Sequence, residues 1–237
     1  MMTSGQQLLR ILEGAAPEWH PLIQWASLGK PEHIDLSSSN PHFTEAVYMD
    51  LDRFTDYINR QRSEKQAAFL MGGYAEDRQM YRRSPLFDKD PFSAQETTEE
   101  PRSLHLGIDV WGPAGTALYA PLGGMVHSFA FHEEAGNYGA TIILSHQLDG
   151  FGFYVLYGHL ALSDIQSIRE GQYISRGECF AHFGRPEENG HWPPHLHLQL
   201  IVDIGVYEGD YPGVCKPSEA AKYLDNCPDP SIFLRKG

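Results

Sequence analysis

Four things are scarce in this 237-residue chain. Uninterrupted apolar runs stop at about five residues, as in Phe153-Tyr154-Val155-Leu156-Tyr157, far short of the ~20 that a membrane-spanning helix needs. Basic charge is also short, with 18 Lys and Arg against 31 Asp and Glu for a net charge of −13. So acidic a chain repels polyphosphate and anionic membranes, which excludes nucleic acid as a natural partner. Cysteine is nearly absent, and Cys179, Cys215 and Cys227 are odd in number and lack metal-site spacing. They read as reduced thiols and exclude a disulfide framework. Finally, Met1-Met2-Thr3-Ser4-Gly5-Gln6-Gln7 has no basic stretch leading into an apolar segment. With the unpaired thiols, this sets a cytoplasmic location as the expectation.

What remains is an ordinary globular composition, 41% hydrophobic and 21% charged, with 23 Gly and 16 Pro favouring many turns. Three textures divide the chain. Residues 1–101 are helical in places. Over 50–71 the apolar residues Leu51, Phe54, Tyr57, Ile58, Phe69 and Leu70 recur at roughly helical spacing, and Gly72-Gly73 supplies a stop. A second helix is predicted over 6–13, and the acidic, Pro-rich stretch 84–103 reads as an exposed linker. This region is expected to lie outside the β core as a helical extension that covers or shapes the site. Residues 102–205 hold short strand-like runs at 104–110, 117–120, 125–131, 140–145, 153–157, 179–183 and 196–202, separated by turn clusters. Such spacing predicts a mainly β fold, an antiparallel sandwich or barrel. Residues 206–237 carry Pro212, Pro217, Pro228 and Pro230 and are expected to wrap the surface as a tail with one short helix near 218–223.

Histidines concentrate the chemistry. In His105-Leu106-Gly107-Ile108-Asp109, strand alternation puts His105 and Asp109 on one solvated face, with Gly107 between them leaving room for an ion. In His195-Leu196-His197-Leu198, the two imidazoles converge only in an extended chain, and Pro193-Pro194 disfavours a helix there. Tyr157-Gly158-His159-Leu160 closes a third apolar run with a histidine. Each motif alone fits bland surface residues. Together they supply three zinc ligands, His105, Asp109 and one of His195 or His197, and leave two histidines for proton handling.

In this order and spacing the motifs resemble the lysostaphin/LytM-type zinc metallopeptidases. Leu106-Gly107-Ile108-Asp109, Pro113-Ala114-Gly115-Thr116, Tyr119-Ala120-Pro121, the strand over 139–146 and the segment 171–177 extend the likeness across 102–202. The resemblance implies a metallopeptidase β core and one zinc per chain, held by His105, Asp109 and His197. It implies His159 and His195 as the catalytic pair and peptide bonds of peptidoglycan cross-bridges or stem peptides as substrate. One segment departs from the family. Its small Gly/Ser/Thr-rich approach to His-x-His is here Arg185-Pro186-Glu187-Glu188-Asn189-Gly190-His191-Trp192-Pro193-Pro194, which is bulkier and charged and predicts a narrowed groove favouring short peptides. A cupin-type metal site also begins with His-x-His but expects a Glu shortly after it, where Gln199-Leu200-Ile201 stand here. A non-catalytic binding module of the same fold would have lost ligands, and this chain keeps all five positions.

Overall fold

The structure, a computed structural model, describes residues 2–87 and 100–235. Most of the expected linker, 88–99, lies outside the described residues. The first helix, Ser4–Ala15, starts at a capping box in which Thr3 and Gln6 satisfy each other's backbone N–H, and it buries Leu8 and Leu12 on one stripe. The helix Leu51–Glu64 is capped by Asp50, which accepts the Arg53 N–H at 3.0 Å, and it buries Phe54, Tyr57 and Ile58 at i, i+3 and i+4.

That helix stops earlier than its periodicity suggested. Gln66 takes a φ of +51° and the chain re-enters as a strand at Phe69–Gly72. Phe69-Leu70-Met71 is a continuous apolar run, which periodicity alone cannot assign, and the open edge of a sheet supplied backbone partners for it. We label Pro31–His33 β1 and Phe69–Gly72 β2. They pair in parallel, and β2 runs antiparallel to β4, Ile108–Trp111. Between β2 and β4 lies β3, the short strand Leu104–His105.

The remaining strands are β5 (Ala117–Tyr119), β6 (Gly124–His132), β7 (Gly139–Leu148), β8 (Phe151–Leu160), β9 (Tyr173–Ile174), β10 (Cys179–His182), β11 (His195–Ile201) and β12 (Val214–Cys215). Eight of them form one mixed sheet in the order β1-β2-β4-β11-β8-β7-β6-β9, while β10–β5 and β12–β3 form two-stranded sheets. The strand-rich core expected over 102–205 is present, and so is the helical N-terminal part. That part does not stay outside the sheet, however, because it contributes two of its strands. It also buries Phe54, Tyr57 and Leu70 in one cluster with Trp111 and Trp192, so its apolar stripe is spent on the core and not on solvent.

The tail is likewise more buried than its prolines suggested. A helix does form, over Ala220–Asn226, and Ile232, Phe233 and Leu234 are buried. Phe233 stacks on Trp19 at 4.8 Å between ring centroids, and the Trp25 indole donates to the Leu234 carbonyl at 3.2 Å. Cys215 and Cys227 are buried and all three cysteines are free thiols.

Candidate metal centre and active site

The strand expected over 104–110 is interrupted. β3 pairs with β12, whereas β4 sits in the large sheet between β2 and β11, so the chain bends at Leu106-Gly107. Neither His105 nor Asp109 lies on a solvated face, since both are buried. They converge nonetheless, with His105 Nε2 3.4 Å from Asp109 Oδ1. The space at Gly107 serves a different purpose from the one expected. A Cβ there would stand 2.6 Å from His197 Cε1, so the missing side chain makes room for the His197 imidazole.

β11 brings the other histidines. His197 stands directly opposite Asp109 and His195 opposite Trp111, whose indole stacks on the His195 ring at 3.9 Å. His159 arrives by a less regular route. A register shift between Ala140 and Ile142 makes a bulge in the β7–β8 ladder, and His159 has a φ of +62°. Regular alternation would send His159 to the face opposite Gly158, which pairs with His197. The bulge and the left-handed residue turn its ring back, 4.1 Å from that of His195 between centroids.

Hydrogen bonds then fix the protons. A carbonyl only accepts, so His105 Nδ1 donates to Gly73 O at 2.8 Å and its Nε2 keeps a lone pair. The Gln199 amide nitrogen donates to the Pro212 carbonyl, which leaves its oxygen to accept from His197 Nε2 at 2.9 Å. His197 Nδ1 therefore also carries a lone pair. That atom lies 2.9 Å from His105 Nε2 and 3.2 Å from Asp109 Oδ1. Three acceptor atoms thus face one point with no proton to share among them. A tetrahedral zinc with bonds of about 2.0–2.1 Å spaces its donors by roughly 3.3–3.4 Å, close to the 2.9, 3.2 and 3.4 Å found. Burial pushes the His105 imidazole down to about 4, so protonation does not relieve the crowding near neutral pH. A divalent cation does. The site's chemistry fits zinc.

The second pair is oriented in the same manner. His159 Nδ1 donates to Asn189 O at 2.7 Å and His195 Nδ1 to Pro193 O at 2.8 Å, leaving both Nε2 atoms as acceptors. Burial lowers both, His195 to about 4 and His159 well below its ordinary value, with His195 and His197 beside it adding to the effect. All five residues line one cavity of about 220 Å³, walled by Tyr81, Phe87, Tyr138, Trp192 and Tyr211.

Several supporting residues went unread in the sequence. Asp109 Oδ2 accepts from Arg78 Nη1 at 2.5 Å, and this arginine is fully buried. Burial disfavours the charged carboxylate, but His105 and Arg78 beside it outweigh that and hold Asp109 well below the usual range. Asn189 organises the 185–194 loop by bonding the Gly184 and Trp192 carbonyls and the Trp192 N–H. Gln199 was legible in principle, lying two residues beyond His197 on the same strand face. Nothing about Gly73 or Arg78 announces itself.

A strand-rich core carrying a convergent His-Asp-His donor set is a candidate metal centre. Residues 103–207 match the model of peptidase family M23. No curated protein matches the chain. Among solved structures it is similar to one described as an M23 peptidase from Pseudomonas aeruginosa, at 21% identity over 78% of this chain and 62% of that one, with a TM-score of 0.35. A zinc-containing peptidase from Vibrio cholerae is 25% identical over 50% of this chain and 31% of its own, with a TM-score of 0.33. The catalytic domain of lysostaphin from Staphylococcus simulans is 18% identical over 71% and 97% respectively, with a TM-score of 0.37. The chain therefore spans less than two thirds of the first two of these proteins.

Proposed function

We propose that this chain is a zinc-dependent peptidase, with His105 Nε2, Asp109 Oδ1 and His197 Nδ1 as ligands and His159 and His195 as its catalytic pair. The observation that carries the proposal is the set of three lone-pair atoms within 3.4 Å of one another, two of them fixed as acceptors by hydrogen bonds on the far side of their rings. Zinc bound there would polarise a peptide carbonyl and lower the pKa of a bound water towards ~7.

The chain's own residues supply the rest. His195, whose Nδ1 donates to the Pro193 carbonyl and whose ring stacks on Trp111, presents Nε2 as an acceptor placed for proton transfer. His159 Nε2, arriving from β8 beside it, is placed to hold the developing oxyanion or return a proton to the leaving amine. The Tyr138 ring lies tilted at 5.6 Å from His159 and 5.2 Å from His197 and lines that side of the cavity. We assign the machinery to 102–205, with residues 1–101 shaping the site and 206–237 closing one wall through Tyr207, Tyr211 and Val214.

The family match at 103–207 supports, as the substrate class, peptides of peptidoglycan cross-bridges or stems. A second reading, short soluble peptides in a cytoplasmic setting, draws on the enclosure of the site: none of the five residues is more than 6% exposed. Among the described residues no helix is long and apolar enough to cross a membrane. Digesting intact sacculi and a panel of short stem peptides with the zinc-loaded chain, and reading product masses, separates the two. Release of soluble fragments from sacculi supports the wall substrate; cleavage of the short peptides alone supports the second reading. A chain that binds zinc and cleaves neither contradicts the catalytic proposal and favours a binding module.

A further inference from the structure

Arg78 is the least expected residue in the interior. It is 1% exposed, and burying a guanidinium is costly unless it is paired and hydrogen-bonded. Its partners are specific. Nη1 reaches Asp109 Oδ2 at 2.5 Å and the Tyr81 hydroxyl at 3.3 Å, and Nε reaches Glu76 Oε2 at 2.5 Å. Glu76 is itself tied down, its other oxygen accepting the Leu36 N–H at 3.2 Å. The backbone is shaped around the guanidinium as well. At Gly73 a Cβ would overlap Arg78 Nη2, and the φ of +102° there suits glycine. The carbonyl of this same Gly73 holds His105 Nδ1. One arginine thus sits between the outer supports of two candidate ligands.

We propose that Arg78 is a positioning residue for the metal centre: by occupying Asp109 Oδ2 it leaves Oδ1 as the single oxygen presented to the cation. The proposal rests on the zinc reading above and extends it to a segment that lies upstream of the family match at 103–207. A carboxylate free at both oxygens can rotate and bind a cation through both. Asp109, clamped on one side, cannot. The geometry also makes the proposal opposite in sign to a simple charge argument. A guanidinium beside a ligand repels a divalent cation, so on charge alone removing it strengthens zinc binding. If it positions the ligand, removing it weakens binding.

The test uses the full chain and zinc affinity measured by competition with a chelator, beside the visible spectrum of the Co2+-loaded protein. Arg78→Met is compared with the double variant Glu76→Gln/Arg78→Met, which removes one acid and one base together and leaves the cluster's net charge unchanged. Both are expected to bind zinc roughly 10–100-fold more weakly than wild type, the usual range for loss of an outer partner. Their Co2+ bands should also weaken, because four-coordinate Co2+ absorbs more strongly than five- or six-coordinate Co2+. Arg78→Lys, which keeps the charge but not the fork, should recover part of the affinity. Zinc binding within about threefold of wild type or tighter, with an unchanged Co2+ spectrum, overturns the proposal. Should the Arg78 variants fail to fold, the single variants Glu76→Gln and Tyr81→Phe loosen the guanidinium without removing it. They must then weaken zinc binding severalfold, and an unchanged affinity in both overturns the proposal. A wild-type chain that takes up no zinc overturns the metal reading itself, whereas equal affinity in wild type and variants overturns only the role of Arg78.

Discussion

The segment 103–207 and the segment before it differ in how they carry function. The first holds the proposed ligands and the proposed catalytic pair, arranged on β3, β4, β8 and β11. The second holds none of them. Yet it provides β2 beside β4, the carbonyl that orients His105, the arginine on Asp109 and the Phe54 ring packed 5.4 Å from Trp111. Some of the groups that aim the candidate ligands thus come from outside the segment that carries them. A site read only from its reactive residues omits half of what keeps it in place.

The comparison breaks most severely if the first segment is cut away. A chain beginning at Ser103 loses the β2 partner of β4 and uncovers Leu70's neighbours Trp111 and Trp192, so it should aggregate or melt without a cooperative transition. A soluble fragment with a sharp thermal transition would instead show that the later segment stands alone. Within the site, His159→Ala and His195→Ala should each keep zinc while slowing peptide hydrolysis by roughly 10²–10⁴. Elemental analysis beside turnover checks this, and loss of metal in either variant would redistribute the roles within the histidine set.

Phe54→Ala sharpens the link between the two segments. Phe54 is fully buried among Phe43, Trp111 and Trp192, and its truncation should cost about 3–5 kcal/mol in denaturant unfolding. Because Trp111 carries the His195 ring, turnover should fall too, even with zinc bound. A further effect is one of pH. His105, His146 and His195 are pushed by burial down to about 4 in the folded chain, against about 6.5 when unfolded. The folded state therefore binds fewer protons between these values. Their stabilising contribution is complete above about 6.5 and is lost as pH falls towards 4, on the order of 3 kcal/mol each at most. Melting of the metal-free chain across pH 4–7 checks the direction, and a midpoint that rises on acidification would contradict it.

Much of the core was legible because its periodicity is local. Alternation through His195-Leu196-His197-Leu198 requires a strand, and the five candidate positions lie in three short motifs. Other features were hidden for identifiable reasons. Phe69-Leu70-Met71 continues a helical rhythm by accident, and only the free edge of β4 makes it a strand. His159 faces the site through a bulge and a positive φ, which depend on pairing across β7 and not on its own neighbours. The burial of His105 and Asp109 comes from β2, β12 and the segment around Tyr81, all distant in sequence. Arg78 could not be read at all. A lone arginine in a polar stretch is ordinary, and only its distance to Asp109 gives it meaning.

The central claim is that His105, Asp109 and His197 together hold one zinc ion. Elemental analysis of the purified full chain beside His105→Ala, Asp109→Ala and His197→Ala tests it most directly. The account predicts about one zinc per wild-type chain and close to none in each variant, since two remaining protein ligands are too few for a stable site. A wild-type chain free of zinc after metal loading, or zinc retained at wild-type stoichiometry in His197→Ala but lost in His195→Ala, would contradict it.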